Sequence, residues 1–348
     1  MNRKRISRRE FLKITGLSSM GLSLSACGIG DQKNINGTEL QKGEKPIIKI
    51  GHLPLTHAAL PLIVHAQSQG GKLEKSNLEM IRFSNWTELA ESIQAGKIDG
   101  AGCFLNNLAY IIVAKGVPLQ SVLMAVRAGS ALTVKKSINS PADLKGKTVA
   151  IPSRFSPHYI LLYQYLTDNG VNPSEVKMVE MGPPDMVQAL AAGAIDGFIV
   201  AEPFDAQAEA LDIGKILTLS RDIILPGSKN LECGITLRKE IIDNHPEAIQ
   251  ELVDKMIQVG MWIDQNPQEA ADLLAPLIGQ EPAVVLKALV EPPGRSSFSD
   301  LYPRVDEYEA LQDYMLKLGL IEKKIDMNAF VEPRFAEASY QKFGIQKQ

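Results

Sequence analysis

Short apolar runs that suit strands alternate along this chain with segments whose apolar residues recur at helical spacing. Ile47-Ile48-Lys49-Ile50-Gly51 leads through residues 53–57 into a helical stretch ending near Gly70, and Thr148-Val149-Ala150-Ile151 leads through residues 152–157 into another ending near Gly170. A second pair follows the same logic. Residues 89–96 form a helix closed by glycine before Lys97-Ile98-Asp99-Gly100-Ala101, and residues 186–193 form its counterpart before Ala194-Ile195-Asp196-Gly197-Phe198. The paired anchors lie about 100 residues apart, which makes the chain a weak internal repeat. Glycine at a helix end supplies the left-handed residue that stops it, and the apolar run that follows suits a strand buried on both faces.

Strands and helices alternating at this density predict an α/β protein of two lobes, each a mostly parallel sheet with flanking helices. The expected crossings between lobes are Ser130-Ala131-Leu132-Thr133-Val134 on the way out and Leu231-Glu232-Cys233-Gly234-Ile235-Thr236-Leu237 on the return. Two crossings make a two-strand hinge, and a hinge between lobes makes a cleft. The expected partition is residues 46–134 plus 235–348 in lobe 1 and 135–234 in lobe 2. Asn244-His245-Pro246 and Asn266-Pro267 are helix-start signals, and residues 247–264 have helical apolar spacing, so the C-terminal part should be helices packed back on lobe 1.

The N-terminus has a different character. Ser7-Arg8-Arg9-Glu10-Phe11-Leu12-Lys13, followed by a modest apolar stretch, has the form of a twin-arginine export signal, and that stretch is too short for a spanning helix. It ends in Leu24-Ser25-Ala26-Cys27, the form of a lipobox, which marks residues 1–26 as a signal and Cys27 as a lipidation site. Residues 27–45 are polar and without apolar period, as a tether would be. Removing residues 1–26 takes away six cations and one anion, leaving 31 Lys and Arg against 39 Asp and Glu, a net charge of about −8. An acidic surface without a basic run excludes nucleic acid as the expected partner. Cys103 and Cys233 lie far apart in sequence and lack metal-type spacing.

Ligands of open parallel sheets sit beyond the carboxyl ends of the strands, where loops meet helix N-termini. The repeat places Thr56 and His57 there in the first lobe, with Asn85-Trp86 and the segment Cys103-Phe104-Leu105-Asn106-Asn107. In the second it places Ser153, Ser156 and His158, then Pro183-Pro184-Asp185, then Ala201-Glu202-Pro203-Phe204. Each has an ordinary alternative. Thr56 and Ser156 can serve as helix caps, His57 and His158 can face solvent, Trp86 can be core packing, and Glu202 can be the partner of an ion pair near the hinge. Asp99 and Asp196 are expected to be structural, and surface ion pairing is the expected fate of Arg127 and Arg154. Motifs for a catalytic nucleophile, a phosphate loop, a zinc helix or a cysteine cluster are missing, so binding without chemistry is the simpler account, and the sequence calls for no metal or cofactor.

Across residues 46–340 the chain resembles the periplasmic binding proteins for nitrate, bicarbonate, taurine and other aliphatic sulfonates. The residues behind this are Pro54-Leu55-Thr56-His57-Ala58-Ala59, Trp86, His158, Pro183-Pro184-Asp185-Met186-Val187, and residues 196–204 from Asp196-Gly197-Phe198 to Glu202-Pro203-Phe204. The last two segments look most like the nitrate and bicarbonate branch, although the chain is shorter and His57 stands where that branch usually has aspartate. The resemblance implies a type II periplasmic-binding-protein fold and a role for Trp86 and His158 in lining a small-anion pocket. It implies a monomeric solute-binding lipoprotein of an ABC importer, held outside the cytoplasmic membrane, working with permease and ATPase subunits and acting without catalysis. The expected ligand contacts are Thr56, His57, Trp86, Phe104, Asn106, Ser153, His158 and Glu202. Two rival readings remain: a binder of a thiamine or riboflavin precursor stacked on Trp86, Phe104 or Phe155, and an enzyme on the same fold.

Overall fold

The repeat becomes two sheets. In the first, β1 (Ile47–His52) lies parallel between β2 (Asn77–Arg82) and β3 (Gly100–Leu105). In the second, β6 (Thr148–Ile151) lies parallel between β7 (Lys177–Glu180) and β8 (Gly197–Ala201). The computed structural model describes residues 45–228 and 231–347, and the export signal, Cys27 and nearly all of the tether lie outside the described residues.

Each parallel trio is extended by an antiparallel strand that arrives from the other sheet. Beyond β3 come β10 (Leu231–Arg238), β4 (Leu119–Ala128) and the short β11 (Ser296–Ser297); beyond β8 come β5 (Ser130–Val134) and β9 (Lys215–Leu219). The chain therefore leaves the first sheet at Gly129 and re-enters it at Leu231. Sheet membership differs here from the expected partition at residues 134 and 234. β5 pairs along its whole length with β8, and β10 with β4, because a strand completes its backbone ladder only with neighbours in the sheet it has joined.

Asp99 and Asp196 do the same structural work in the two halves, as expected. Asp99 Oδ2 accepts the Lys49 N–H at 2.7 Å while its own N–H donates to the Lys49 carbonyl at 2.8 Å; Asp196 does this with Thr148 at 2.9 and 2.7 Å. Each aspartate follows a helix that ends at a glycine of positive φ, Gly96 or Gly193, and ties that helix end to the first strand of its sheet. The spacing in sequence is thus a spacing of backbone hydrogen bonds.

Helices α1 (Ala59–Gln67), α2 (Trp86–Gln94) and α3 (Asn106–Ala114) follow β1, β2 and β3; α4 (Pro157–Asp168), α5 (Pro183–Ala191) and α6 (Phe204–Ala210) follow β6, β7 and β8. The C-terminal part adds α7 (Lys239–Asn244), α8 (Pro246–Gln265), α9 (Pro267–Ile278), α10 (Pro282–Val290), α11 (Val305–Lys317), α12 (Met327–Phe330) and α13 (Arg334–Phe343). α8 buries Ile249, Leu252, Val253 and Met256 at helical spacing and packs on α1 and α13, as its pattern predicts. α10 departs from expectation. It reaches across to pack on α6 beside the second sheet, so the C-terminal helices bridge both halves.

No helix among the described residues is long and apolar enough to cross a membrane. Cys103 on β3 and Cys233 on the adjacent β10 are both free and fully buried, and burial pushes the Cys103 thiol up to about 12.

Candidate functional site

The carboxyl ends of β1, β2, β6 and β7 open onto one cleft of about 830 Å3. Pro54 after β1, Asn85 and Trp86 before α2, Ser153 and Phe155 after β6, and residues 182–185 before α5 form its walls, so both halves of the repeat contribute. Trp86 belongs to the cleft wall and to the core at once. It is 4% exposed and packs within the apolar cluster, with Nε1 3.5 Å from the Cys103 carbonyl. Phe104, by contrast, is a core residue of β3 opposite Gly234 and is not part of the wall.

The two walls differ chemically. On one side the Asn85 side chain caps α2 by accepting the Glu88 N–H at 3.0 Å, and Arg82 lies at the end of β2. First-turn N–H groups and the helix dipole on that wall favour an anion, while Glu91 on the same wall opposes it. On the other side α5 begins Pro183-Pro184, which have no N–H, and the Asp185 N–H is bonded to the Gly182 carbonyl. Glu180 and Asp185 make this wall acidic.

Where the chain crosses between sheets, buried polar residues stitch the halves together. The Thr56 N–H and hydroxyl both donate to the Glu202 carbonyl, at 2.9 and 3.1 Å, and the Glu202 N–H donates to the Gly129 carbonyl at 2.9 Å. His57 Nε2 lies 2.8 Å from that same carbonyl oxygen; a carbonyl only accepts, so this nitrogen carries the proton. Between the two crossings, Ser130 Oγ donates to Glu232 Oε2 and lies 3.0 Å from His158 Nε2, which is itself 3.7 Å from Glu232 Oε2. Asn106 Nδ2 donates to the Glu232 carbonyl at 3.3 Å. His57, Asn106, Ser130, His158, Glu202 and Glu232 are all essentially inaccessible. Burial holds His57 down at about 4 and His158, which also feels His57, down at about 3; both rings are neutral at pH 7. Burial pushes the Glu232 and Glu202 carboxyls up to about 7, against the pull of Ser130 on the first and of Arg295 on the second.

Residues 41–279, more than half of the chain, match the model of the NMT1-like family. The chain belongs to the NMT1-like family. The taurine-binding periplasmic protein of Escherichia coli K12 is 28% identical over 215 residues, covering 61% of this chain and 65% of the relative, just short of two thirds of its length. The nitrate/nitrite binding protein NrtA of a Nostoc species is 25% identical over 307 residues, 76% of this chain and 68% of that protein. Among solved structures, the ligand-binding component of an ABC-type import system from Staphylococcus aureus, with zinc bound, is 27% identical, with a TM-score of 0.76 over 85% of this chain and 99% of that one. These relatives are named as binding proteins, and the shared fold is the two-sheet periplasmic-binding architecture. Among the described residues of this NMT1-like chain, no group of three or more His, Cys, Asp or Glu is placed to hold a metal.

The structure sorts the expected site residues of this NMT1-like chain into three places. Trp86 and Ser153 line the cleft; Thr56, His57, Asn106, His158 and Glu202 lie at the crossings; Phe104 lies in the core. Ser156 is the expected cap, accepting the Tyr159 N–H at 3.3 Å, but Thr56 is not one: its hydroxyl binds across the crossing. Neither histidine faces solvent. Glu202 is an ion-pair partner, with Oε1 2.5 Å from Arg295 Nε. Arg127 is not a surface residue; it is buried against Glu307 at 2.6 Å and Asp300 at 3.2 Å, whereas Arg154 is exposed. Sequence reasoning missed Arg82, Gly129, Ser130, Glu232 and Arg295. A charged residue inside an apolar run, as in Leu231-Glu232-Cys233, was the available signal for one of them.

Two consequences are open to direct measurement. Gly129 has φ of +92°, and a Cβ there would stand 2.6 Å from His57 Nε2. Gly129→Ala is expected to lose about 2 kcal/mol or more in urea denaturation, through backbone strain and the displaced histidine. For Glu232 the folded carboxyl is raised above its unfolded value of 4.5, so its contribution is full below 4.5 and is lost as pH rises through about 7. The wild type should therefore gain stability over Glu232→Gln as pH falls from 8 to 5, on the order of 2 kcal/mol, and a constant difference across that range would contradict the assignment.

Proposed function

We propose that this chain is the solute-binding subunit of an ABC importer and that it captures a small solute bearing an oxyanion, such as an aliphatic sulfonate, nitrate or bicarbonate. The observation behind this is a cleft walled by strand ends and helix starts of both sheets. A solute touching both walls is bound better when the halves are together, so it shifts the population toward the closed form. A permease with its ATPase then recognises that form, and binding is not followed by chemistry. The taurine, nitrate and import-system relatives support this reading. A volume of about 830 Å3 is in the range of organic-ligand pockets, which favours a sulfonate over a bare inorganic ion.

The sequence of residues 1–27 supports export by the twin-arginine route and a lipid anchor at Cys27 outside the cytoplasmic membrane, and a monomer is the default for a protein that docks on its transporter. A second reading, a thiamine- or riboflavin-precursor binder, is favoured by Phe83, Trp86 and Phe155 on the cleft walls.

The test is a thermal-shift panel on residues 28–348 with nitrate, bicarbonate, alkanesulfonates, taurine and the two precursors, followed by calorimetry. A ligand at 100 times its Kd adds about 2.7 kcal/mol to stability and raises Tm by a few degrees. A shift with oxyanions supports the proposal, a shift with a precursor alone supports the second reading, and no shift removes both ligand classes.

A further inference from the structure

Phe155 lines two cavities. One is the cleft; the other, of about 490 Å3, is walled by Phe155 with Ile111 and Ala114 of α3 and with Leu320, Ile321 and Ile325 beyond α11. The second cavity has an apolar wall. Its buried polar side chains are already engaged: Gln312 Nε2 donates to the Ile325 carbonyl at 3.2 Å, Gln312 Oε1 accepts the Ile325 N–H at 2.6 Å, and the Tyr110 hydroxyl donates to the Tyr308 carbonyl at 3.4 Å. Its charged residues, Lys115, Glu322 and Lys323, are exposed. Helix α3 runs along both cavities. Leu108 lines the cleft, and Ile111, three residues on and so on the same helix face, lines the second cavity. Phe155, which borders both, marks where one gives way to the other.

We propose that Phe155 is a specificity-determining residue that limits the length of the solute, by dividing the cleft from an apolar compartment able to hold the tail of a longer one. This rests on the solute-binding reading of the cleft. A partition has to be held still, and the loop that carries this ring is tied at three successive N–H groups. That of Arg154 donates to Glu180 Oε1 at 2.7 Å, that of Phe155 to Ser153 Oγ at 3.1 Å, and that of Ser156 to the Ser153 carbonyl at 3.0 Å. Ser156 in turn caps α4, which fixes the loop to the helix that follows it. The ring is half-buried and packs against the apolar core. An alkyl tail gains affinity with each methylene only while that methylene leaves water for apolar surface. In the wild type the apolar face of α3 is interrupted at the ring. Without the ring, Leu108, Ile111 and Ala114 offer one continuous path from the cleft into the second cavity.

Calorimetry on the purified chain with ethane-, butane-, hexane-, octane- and decane-1-sulfonate tests this, each protein being judged by its own ratio of decane- to butane-1-sulfonate affinity. In the wild type, affinity is expected to rise by about fourfold per methylene while the cleft fills, and then to level off. In Phe155→Ala it should go on rising, making the ratio at least about 10-fold larger than in the wild type, the gain from two methylenes newly buried. Adding Ile321→Asp, which places a charge in the second cavity, should return the ratio to within about threefold of the wild type. Phe155→Leu, which keeps the loop packed, should give an intermediate ratio and serves as the test if the alanine variant does not fold. Equal ratios in the wild type and the Phe155 variants overturn the proposal, as does a gain that survives Ile321→Asp. Both leave the oxyanion reading intact, because butane-1-sulfonate still binds. If no sulfonate in the series binds the wild type, the oxyanion reading fails and the proposal fails with it.

Discussion

Arg295→Met is expected to lower the stability of the protein by about 3–5 kcal/mol, the cost of leaving a buried charge without its partner. Arg295 is 1% exposed. Its Nε holds Glu202 Oε1 at 2.5 Å, and its Nη1 binds Glu209 Oε2 at 3.0 Å and the Glu291 carbonyl at 2.8 Å. Glu202 has a second fixed contact, from the Ala206 N–H to Oε2 at 3.0 Å, and Asp205 lies close enough to be pushed well up by burial and by the Glu202 charge. Methionine keeps much of the volume and none of the charge, so the loss reports the ion pair and not a cavity. Chemical denaturation at pH 8 gives the number, and a fall in Tm on the order of 10 °C should accompany it. Lowering the pH to 5.5 should recover part of the loss, since Glu202 then protonates at small cost. A loss below 1 kcal/mol would show that Glu202 is neutral in the wild type.

Trp86→Ala is the second large effect, expected at about 3–5 kcal/mol because an almost wholly buried indole leaves a void that its neighbours fill only in part. Because Trp86 is also a wall of the cleft, the same variant should lose solute affinity when measured well below its lowered Tm. Trp86→Phe separates the roles: it keeps most of the apolar contact but narrows the aromatic wall, so stability recovers more than affinity does. Equal recovery of both would reduce Trp86 to a packing residue.

The parts of this molecule visible in its sequence are those where local pattern and backbone bonding coincide. Asp99 and Asp196 stood out because a helix-ending glycine before them and an apolar run after them leave the aspartate only the task it performs, closing the helix end onto the neighbouring strand. Trp86 was visible for a similar reason, as a large residue at a helix start. The crossing segments were visible too, but the side-chain contacts between them were not. Ser130 and Glu232 are separated by about a hundred residues, and only the antiparallel entry of β5 and β10 brings them together. Arg295 sits in Pro292-Pro293-Gly294-Arg295, which has the composition of a surface turn; its burial depends on α10 reaching the second half, and no local spacing encodes that. Arg127 departs from the surface pairing expected of a lone arginine because the ten residues of β4 that contain it are all buried.

Pro183 and Pro184 have a consequence for the proposed transport role. A fold made by repetition would, with equal helix starts, offer its cargo two interchangeable faces, and a molecule with unlike ends would settle either way round. Removing the N–H groups from one face breaks that equivalence. In the proposed importer, cargo with unlike ends is then held in a single sense, and whatever receives it from this protein would meet the same end first on every cycle.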